Sequence, residues 1–521
     1  MTQRFAPYRV LDARSYDVPI AAPSYHLGYS RTSKQTPKRN ATSTSGIGLL
    51  ERPGAPALHL VRLEDQLSAL VRKHRVCGAQ LAIYHDGETM AIELGELEHR
   101  GGRPVTRDAA FPIGSVTKSF TATLAMVLVA DGDLDLDEPL GGQLPELDEL
   151  GDVLTLRHLL SHTSGFASGP DSTELSSGSL LRYVADHCRR RNLVLPPGTG
   201  FSYSNMGYIL AGRLIEEITG MSWAEAMESI LLRPLGIAPA FICPPGSGPG
   251  GRPVATGHSA NLALGRTQPV RQSLAAAEAP AGALAVSAMD LVRLGRMHLS
   301  PGVSAVLSPD HAELMRRPVP AAEPFGLADG WGLGLALFRA AATGTGGAAA
   351  DWVGHDGNAD GTACYLRVDP AGGWVVALTT NTSTGIGLWQ ELLGRLADDG
   401  VPTPAASTGL TAGTTGTTGA GMDGVPSAPP PDCAGRYVNG DSEYVVTGSD
   451  GHCRLAVDGE EFVVLGGPDG MTFALLDPTS GQCVPGGRFQ RDPATGEING
   501  IQVNGRLARR HPLAVPVGAA R

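Results

Sequence analysis

Phe111-Pro112-Ile113-Gly114-Ser115-Val116-Thr117-Lys118 decides the fold, because it runs directly into a helical stretch from Ser119 to Ala130. Ser115 and Lys118 stand three apart, a spacing that places both side chains on one face of a helix. A serine hydroxyl is a poor nucleophile until a base takes its proton, and a partly desolvated lysine beside it has its pKa lowered toward that task. A serine at a helix start also gains from unpaired backbone N–H groups and the positive end of the helix dipole, which stabilise negative charge at an attacked carbonyl. Taken alone, Ser-x-x-Lys also occurs as a surface pair on exposed helices, so the surrounding sequence has to decide its meaning.

Two later stretches supply the context. Tyr203-Ser204-Asn205 follows the breaker cluster Pro196-Pro197-Gly198-Thr199 and precedes a helical run from Met206 to Ile218, which places it on a loop at a helix start, where catalytic groups are commonly presented. A phenol held between donors ionises below its usual pKa of about 10 and serves as a general base. Asn205 is a candidate to hold a substrate amide or to orient Lys118. The same tripeptide also reads as a capping turn beside a buried tyrosine. His355-Asp356-Gly357 reads as a loop before a strand from Ala363 to Val368, with Gly357 allowing close backbone approach and His355 offering a donor beside a developing oxyanion. A histidine next to a strand serves structure equally well.

Outward from these motifs, Leu63, Leu67, Leu70 and Val71 recur at helical spacing, and Ala79–Tyr84 and Thr89–Leu94 form strand-like runs joined at Asp86-Gly87, a hairpin signal. Helices then dominate until strands return at Ala363–Val368 and Trp374–Thr380, an α+β order. Residues 401–431, with Thr/Gly repeats and Pro429-Pro430-Pro431, read as a linker. Beyond it, short runs around Tyr444, Leu455, Phe462, Phe473, Phe489 and Ile501, parted by Asp-Gly turns, predict a small antiparallel barrel or sandwich. The organisation read is therefore a basic, flexible extension over 1–60, a catalytic domain over 61–400, the linker, and a barrel over 432–512.

The chain has 521 residues, 42% of them apolar and 18% charged, with 41 Lys and Arg against 52 Asp and Glu for a net charge of -11. That balance lacks the positive field a phosphate backbone requires, and nucleic acid is excluded as a partner. Seven cysteines without a C-x-x-C pair argue against a disulfide framework and a cysteine-rich zinc site. The longest fully apolar run, Leu124 to Ala130, falls far short of the ~20 residues of a membrane span, and no apolar signal core follows the first arginines. A cytoplasmic protein with no membrane partner is expected. His158 and His162, spaced i, i+4, lack a third ligand and are not read as a metal site. Gly246-Ser-Gly248-Pro-Gly-Gly251 lies among prolines and is a loop rather than a dinucleotide site. No cofactor is expected.

In order and spacing, Ser115-x-x-Lys118, Tyr203-x-Asn205 and His355-x-Gly357 resemble the penicillin-binding-protein and class C β-lactamase-like superfamily of serine acyl-enzymes, over roughly residues 62 to 396. Leu156-Arg157-His158-Leu159-Leu160-Ser161-His162-Thr163-Ser164-Gly165 and Pro280-Ala281-Gly282 look like framework segments of that family. The resemblance implies an antiparallel sheet flanked by helices plus an all-helical region. It also implies Ser115 as the acylated nucleophile, Lys118 and Tyr203 sharing the proton transfers, Asn205 positioning substrate, and the backbone N–H groups of Ser115 and Asn358 as the oxyanion hole. Where β-lactamases carry Lys-Thr-Gly, this chain has His355-Asp356-Gly357, which weakens the expectation of antibiotic hydrolysis. The sequence is most similar to the penicillin-binding-protein-type thioesterases that release and cyclise nonribosomal peptides and carry a lipocalin-like barrel. That similarity implies a peptidyl thioester, delivered on a carrier protein, as substrate. A D-aminopeptidase, amidase or esterase of the same family, and a non-catalytic binding scaffold, are the competing readings.

Overall fold

The computed structural model describes residues 60–170, 178–242, 252–262, 264–299, 306–339, 352–404, 428–449, 452–476 and 483–511. The basic N-terminal stretch, the Thr/Gly repeats of the linker and the Gly246–Gly251 loop lie outside them.

The hairpin expected at Asp86-Gly87 forms between Gly78–His85 and Glu88–Gly95, with both turn residues at positive φ (51° and 87°), the pairing that matches strand twist. It is one edge of a seven-stranded antiparallel sheet. The order runs Glu88–Gly95, Gly78–His85, Trp374–Thr380, Thr362–Asp369, Trp352–Ala359, Ala336–Phe338, Gly330–Trp331. Every residue of Trp374–Thr380 is buried, as expected of a central strand covered on both faces. The period of two divides its side chains: Val376 and Leu378 pack with Leu63, Leu67 and Leu70 of the Leu60–Lys73 helix and Leu388 and Leu392 of the Gly385–Asp398 helix, while Val375 and Ala377 join the larger helical core. On that second face lie the Ala288–Arg296 helix and the Thr117–Asp131 helix, the latter buried around nearly its whole circumference and closed at Gly132 (φ 82°).

One sequence reading is corrected. His355-Asp356-Gly357 is not a loop but the middle of the Trp352–Ala359 strand, paired with Thr362–Asp369. Its Gly, His and Asp content has little β-propensity, and the strand exists because packing demands it. A Cβ at Gly354 would lie 1.9 Å from the Leu366 carbonyl oxygen, and one at Gly357 2.0 Å from that of Ile113.

The C-terminal segment is a closed barrel of eight consecutive antiparallel strands, from Gly435–Asn439 to Arg506–His511, sealed by pairing of the last on the first. The six runs named from the sequence fall on six of the eight strands; the first, Gly435–Asn439, and the last, Arg506–His511, lie outside them. Tyr437, Leu455, Phe473, Phe489 and Ile501 belong to one buried apolar core, as in small barrels whose interior is packed with side chains. The barrel is bonded to the catalytic region by buried groups. Asn439 accepts from Ser168 N–H (2.8 Å) and donates to the Leu507 carbonyl (2.8 Å), the Gly505 carbonyl accepts from Tyr203 N–H (2.9 Å), and Arg509 Nε donates to the Val194 carbonyl (2.8 Å).

Asn439→Ala leaves the half-buried Ser168 N–H and the buried Leu507 carbonyl without this partner. It is expected to cost about 2–4 kcal/mol of stability, measured by denaturant unfolding; a loss below 0.5 kcal/mol on the same scale of about 1 kcal/mol per hydrogen bond would mean that the barrel is held elsewhere.

Candidate active site

The nucleophile candidate sits where three segments converge. Gly114–Val116 forms a 3₁₀ turn before the Thr117–Asp131 helix, so Ser115 precedes the α-helix rather than opening it; in a 3₁₀ turn residues i and i+3 are nearly eclipsed, which still brings Ser115 and Lys118 together. Lys118 Nζ lies 3.1 Å from Ser115 Oγ and 2.9 Å from the Ala281 carbonyl. The same helix anchors itself on that segment through Thr121, whose hydroxyl donates to the Pro280 carbonyl (2.7 Å), and Thr117, whose hydroxyl accepts from Leu284 N–H (3.2 Å). Pro280-Ala281-Gly282 is thus in direct contact with the catalytic lysine candidate.

Lys118 is wholly buried. Desolvation, followed by repulsion from the Arg506 guanidinium, lowers its pKa to about 7, with Glu278 opposing. Its amine lies 5.1 Å from the centroid of the Tyr203 ring. Tyr203 hydrogen-bonds Ser115, yet burial outweighs that bond and the Arg506 charge and pushes the phenol up to about 12. At neutral pH the amine is therefore substantially neutral and the phenol protonated.

His355 is also buried, and burial, then the nearby Lys118, lowers its pKa to about 4. Its Nδ1 lies 2.6 Å from the Asp356 carbonyl, which can only accept, so the neutral ring carries its proton there. The expected donor is spent on backbone, and Nε2 is left as an acceptor without a hydrogen-bond partner among the described residues. Asp356 pairs with Arg367, whose guanidinium lies 3.9 Å from the centroid of the Phe338 ring.

The turn and the strand touch through their main chains. Gly114 is at φ +50°, and a Cβ there would lie 2.2 Å from the Asn358 carbonyl oxygen; one at Gly357 would lie 2.9 Å from Val116 N. Both glycines are required by this approach, which sets Asn358 beside Ser115. Asn205 begins the Asn205–Thr219 helix, next to Tyr203, and its N–H donates to the Ser168 carbonyl (3.0 Å). Ser204 is the helix cap, accepting from Gly207 N–H, so the capping turn and the buried tyrosine coexist at Tyr203-Ser204-Asn205.

A cavity of about 210 Å³ opens onto Ser115, Tyr203, His355 and Asn358, with further walls from Trp331, Phe338, Asn504 and Arg506. The last two come from the barrel's final hairpin. Arg506 is not among the site residues expected from the sequence; its guanidinium lies 5.4 Å from the centroid of the Tyr203 ring, with Nε donating to Ser168 Oγ (2.9 Å). Nothing in the local sequence links residue 506 to residue 203. His158 and His162 do not share a helical face: the helix Leu156–Leu160 stops between them, with His158 in its N-terminal capping box.

Comparison with known proteins agrees with this geometry. The family model described as Beta-lactamase matches residues 61–399. Penicillin-binding protein 4 of Amycolatopsis lactamdurans is 37% identical over 361 residues, covering 65% of this chain and 91% of its own length. The crystal structure of SurE aligns with a TM-score of 0.74 at 38% identity over 87% of this chain and 99% of that one, so the match includes the barrel region. The D-amino acid amidase from Ochrobactrum anthropi SV3 aligns with a TM-score of 0.53 at 25% identity, over 65% of this chain.

Gly357→Ala drives a methyl into the Ile113 carbonyl. The variant is expected to lose at least about tenfold in the rate at which a fluorophosphonate labels Ser115, since displacement of about 1 Å at a reacting group costs about 10²-fold; labelling at the wild-type rate would show that the two backbones separate freely.

Proposed function

The chain belongs to the beta-lactamase family of serine hydrolases, and from that premise we propose that it is an acyl-enzyme acyltransferase that takes a peptidyl thioester onto Ser115 and releases it as a macrolactam. The observation that carries the acyl-enzyme reading is the buried Lys118 amine, of pKa about 7, within hydrogen-bond reach of Ser115. Neutral Lys118 accepts the Ser115 proton as Oγ attacks the thioester carbonyl. The oxyanion draws on the N–H groups of Ser115 and Asn358. As the C–S bond breaks, the leaving sulfur takes a proton relayed through Tyr203, whose raised pKa keeps it a donor. In the second half the peptide's own amine attacks the ester, gives up a proton to the Lys118–Tyr203 pair, and Ser115 departs reprotonated. His355 is read as a wall of the site rather than an oxyanion donor, and Asn205 as a holder of the Tyr203 loop.

Transfer to an amine competes with hydrolysis, and it wins when the amine is held close at high effective molarity and water is kept out. The barrel wall at Asn504 and Arg506 supports that reading, because it forms one side of the cavity onto which Ser115 opens. SurE has also been solved with D-Leu, at 38% identity to this chain, and another neighbour is a D-amino acid amidase. A D residue at the acylated carbonyl is accordingly part of the proposal. The amidase likeness also favours a second reading, hydrolysis of small amides or esters.

A synthetic peptidyl thioester ending in a D residue distinguishes the two. Intact mass should show one acyl group on Ser115, absent in Ser115→Ala, with cyclic product released; linear acid as the sole product would replace transfer by hydrolysis.

Because the base is a lysine of lowered pKa, acylation should rise with pH through about 7 as the amine loses its proton. Arg506→Gln removes a charge that depresses that pKa, so this limb should move to higher pH in a stopped-flow pH–rate profile. A shift to lower pH, or none, would remove Lys118 from the role of base.

A further inference from the structure

Four consecutive N–H groups hold the loop that carries Tyr203. Tyr203 N–H donates to the Gly505 carbonyl and Asn205 N–H to that of Ser168. The two that flank the phenol go to one residue: Ser202 N–H donates to the His162 carbonyl (3.0 Å) and Ser204 N–H to His162 Nδ1 (3.1 Å). Between these contacts the imidazole stacks on the Tyr203 ring, with centroids 4.2 Å apart and planes 30° from parallel. From these contacts we infer that His162 is the positioning residue that aims the Tyr203 phenol at Ser115. The inference rests on the acyl-enzyme reading above and extends it to a residue outside the motifs.

The backbone at His162 is unusual. Its φ is +58°, in the left-handed region where a Cβ crowds the following carbonyl oxygen. Such a conformation persists where the surroundings over-determine it. Here it turns the chain just past the Leu156–Leu160 helix, so that His162's carbonyl and ring both reach the Ser202–Ser204 loop.

Chemistry adds a second constraint. An amide N–H only donates, so Nδ1 must present a lone pair and the ring proton must sit on Nε2. Protonating Nδ1 would break the Ser204 bond. Burial prevents it, and a second proton on the ring would be repelled by the Arg506 guanidinium and by Lys118 and His355 whenever they are protonated; the pKa stays well below the usual histidine value. Tyr203, Tyr208, Phe201 and Trp331 complete the enclosure with rings at 4.2, 5.1, 5.6 and 5.2 Å. The imidazole therefore acts as a fixed acceptor and stacking plate across the working pH range.

The test uses the leaving group. A phenol that protonates the departing atom matters for an alkyl ester, whose alkoxide leaves poorly, and little for a p-nitrophenyl ester of the same acyl group. His162→Phe keeps a ring but has no acceptor. It should lower kcat/KM on the alkyl ester about 10²-fold more than on the p-nitrophenyl ester, the scale of losing a general acid. His162→Asn offers an amide oxygen as acceptor and tolerates positive φ, and should recover most of that difference. In a Tyr203→Phe background His162→Phe should leave the ratio between the two esters unchanged, closing a double-mutant cycle. An equal loss on both esters would reduce His162 to a structural role and overturn the inference. Should His162→Phe not fold, His162→Gln, whose acceptor is displaced by one methylene, must still shift the ratio; a wild-type ratio there overturns it too. Failure of the wild-type protein to form a Ser115 ester with p-nitrophenyl substrate would instead refute the acyl-enzyme reading itself.

Discussion

Sealing one amine away from water is the constraint from which the rest of the site follows. An ammonium in a low-dielectric interior is costly unless paired, and among the described residues the hydrogen-bond partners of Lys118 are a backbone carbonyl and a serine oxygen, not a carboxylate. The protein resolves the cost by letting the group titrate near neutrality. Each element of the catalytic region contributes to that seal: the helix that carries Lys118, the Pro280–Leu284 segment that receives it, and the aromatic rings of Tyr203 and Tyr208 beneath it. The same burial raises the Tyr203 phenol, so one physical cause separates two groups into acceptor and donor.

The barrel belongs to this arrangement rather than being appended to it. Its interior packs Tyr437, Phe473 and Phe489 into a single core, and its last hairpin delivers Arg506 to the cavity while the Gly505 carbonyl holds Tyr203 N–H. A positive charge brought from about 390 positions along the chain thereby tunes an amine that it does not touch. Among the described residues no helix is long and apolar enough to cross a membrane.

How far the sequence could be read depended on the range of the interaction. The Asp86-Gly87 hairpin, the helix after Ser115 and the helix after Tyr203 follow from neighbours a few positions apart, and they were legible to within one or two residues. His355 was misread as loop because its strand has poor intrinsic propensity and exists only through pairing with Thr362–Asp369. His162 was passed over as a framework residue, since its meaning lies in two hydrogen bonds to a segment 40 positions later. Gly357 reads in sequence as a place of close backbone approach, but only the structure shows that the backbone it meets is that of the turn at Ile113–Val116, and that Gly114 is needed for the same meeting.

By itself the sequence determined the family, the α+β architecture with its terminal barrel, and the serine–lysine pair, because all of these are written in short-range periodicity and in motifs whose members sit one helical turn apart. Only the tertiary structure decided which nitrogen of His355 carries its proton, that Arg506 enters the cavity, and that the amine rather than the phenol is the group near neutrality. Those outcomes depend on burial and on charge separation in space. Neither is a property of any residue or its neighbours until the chain has closed around it.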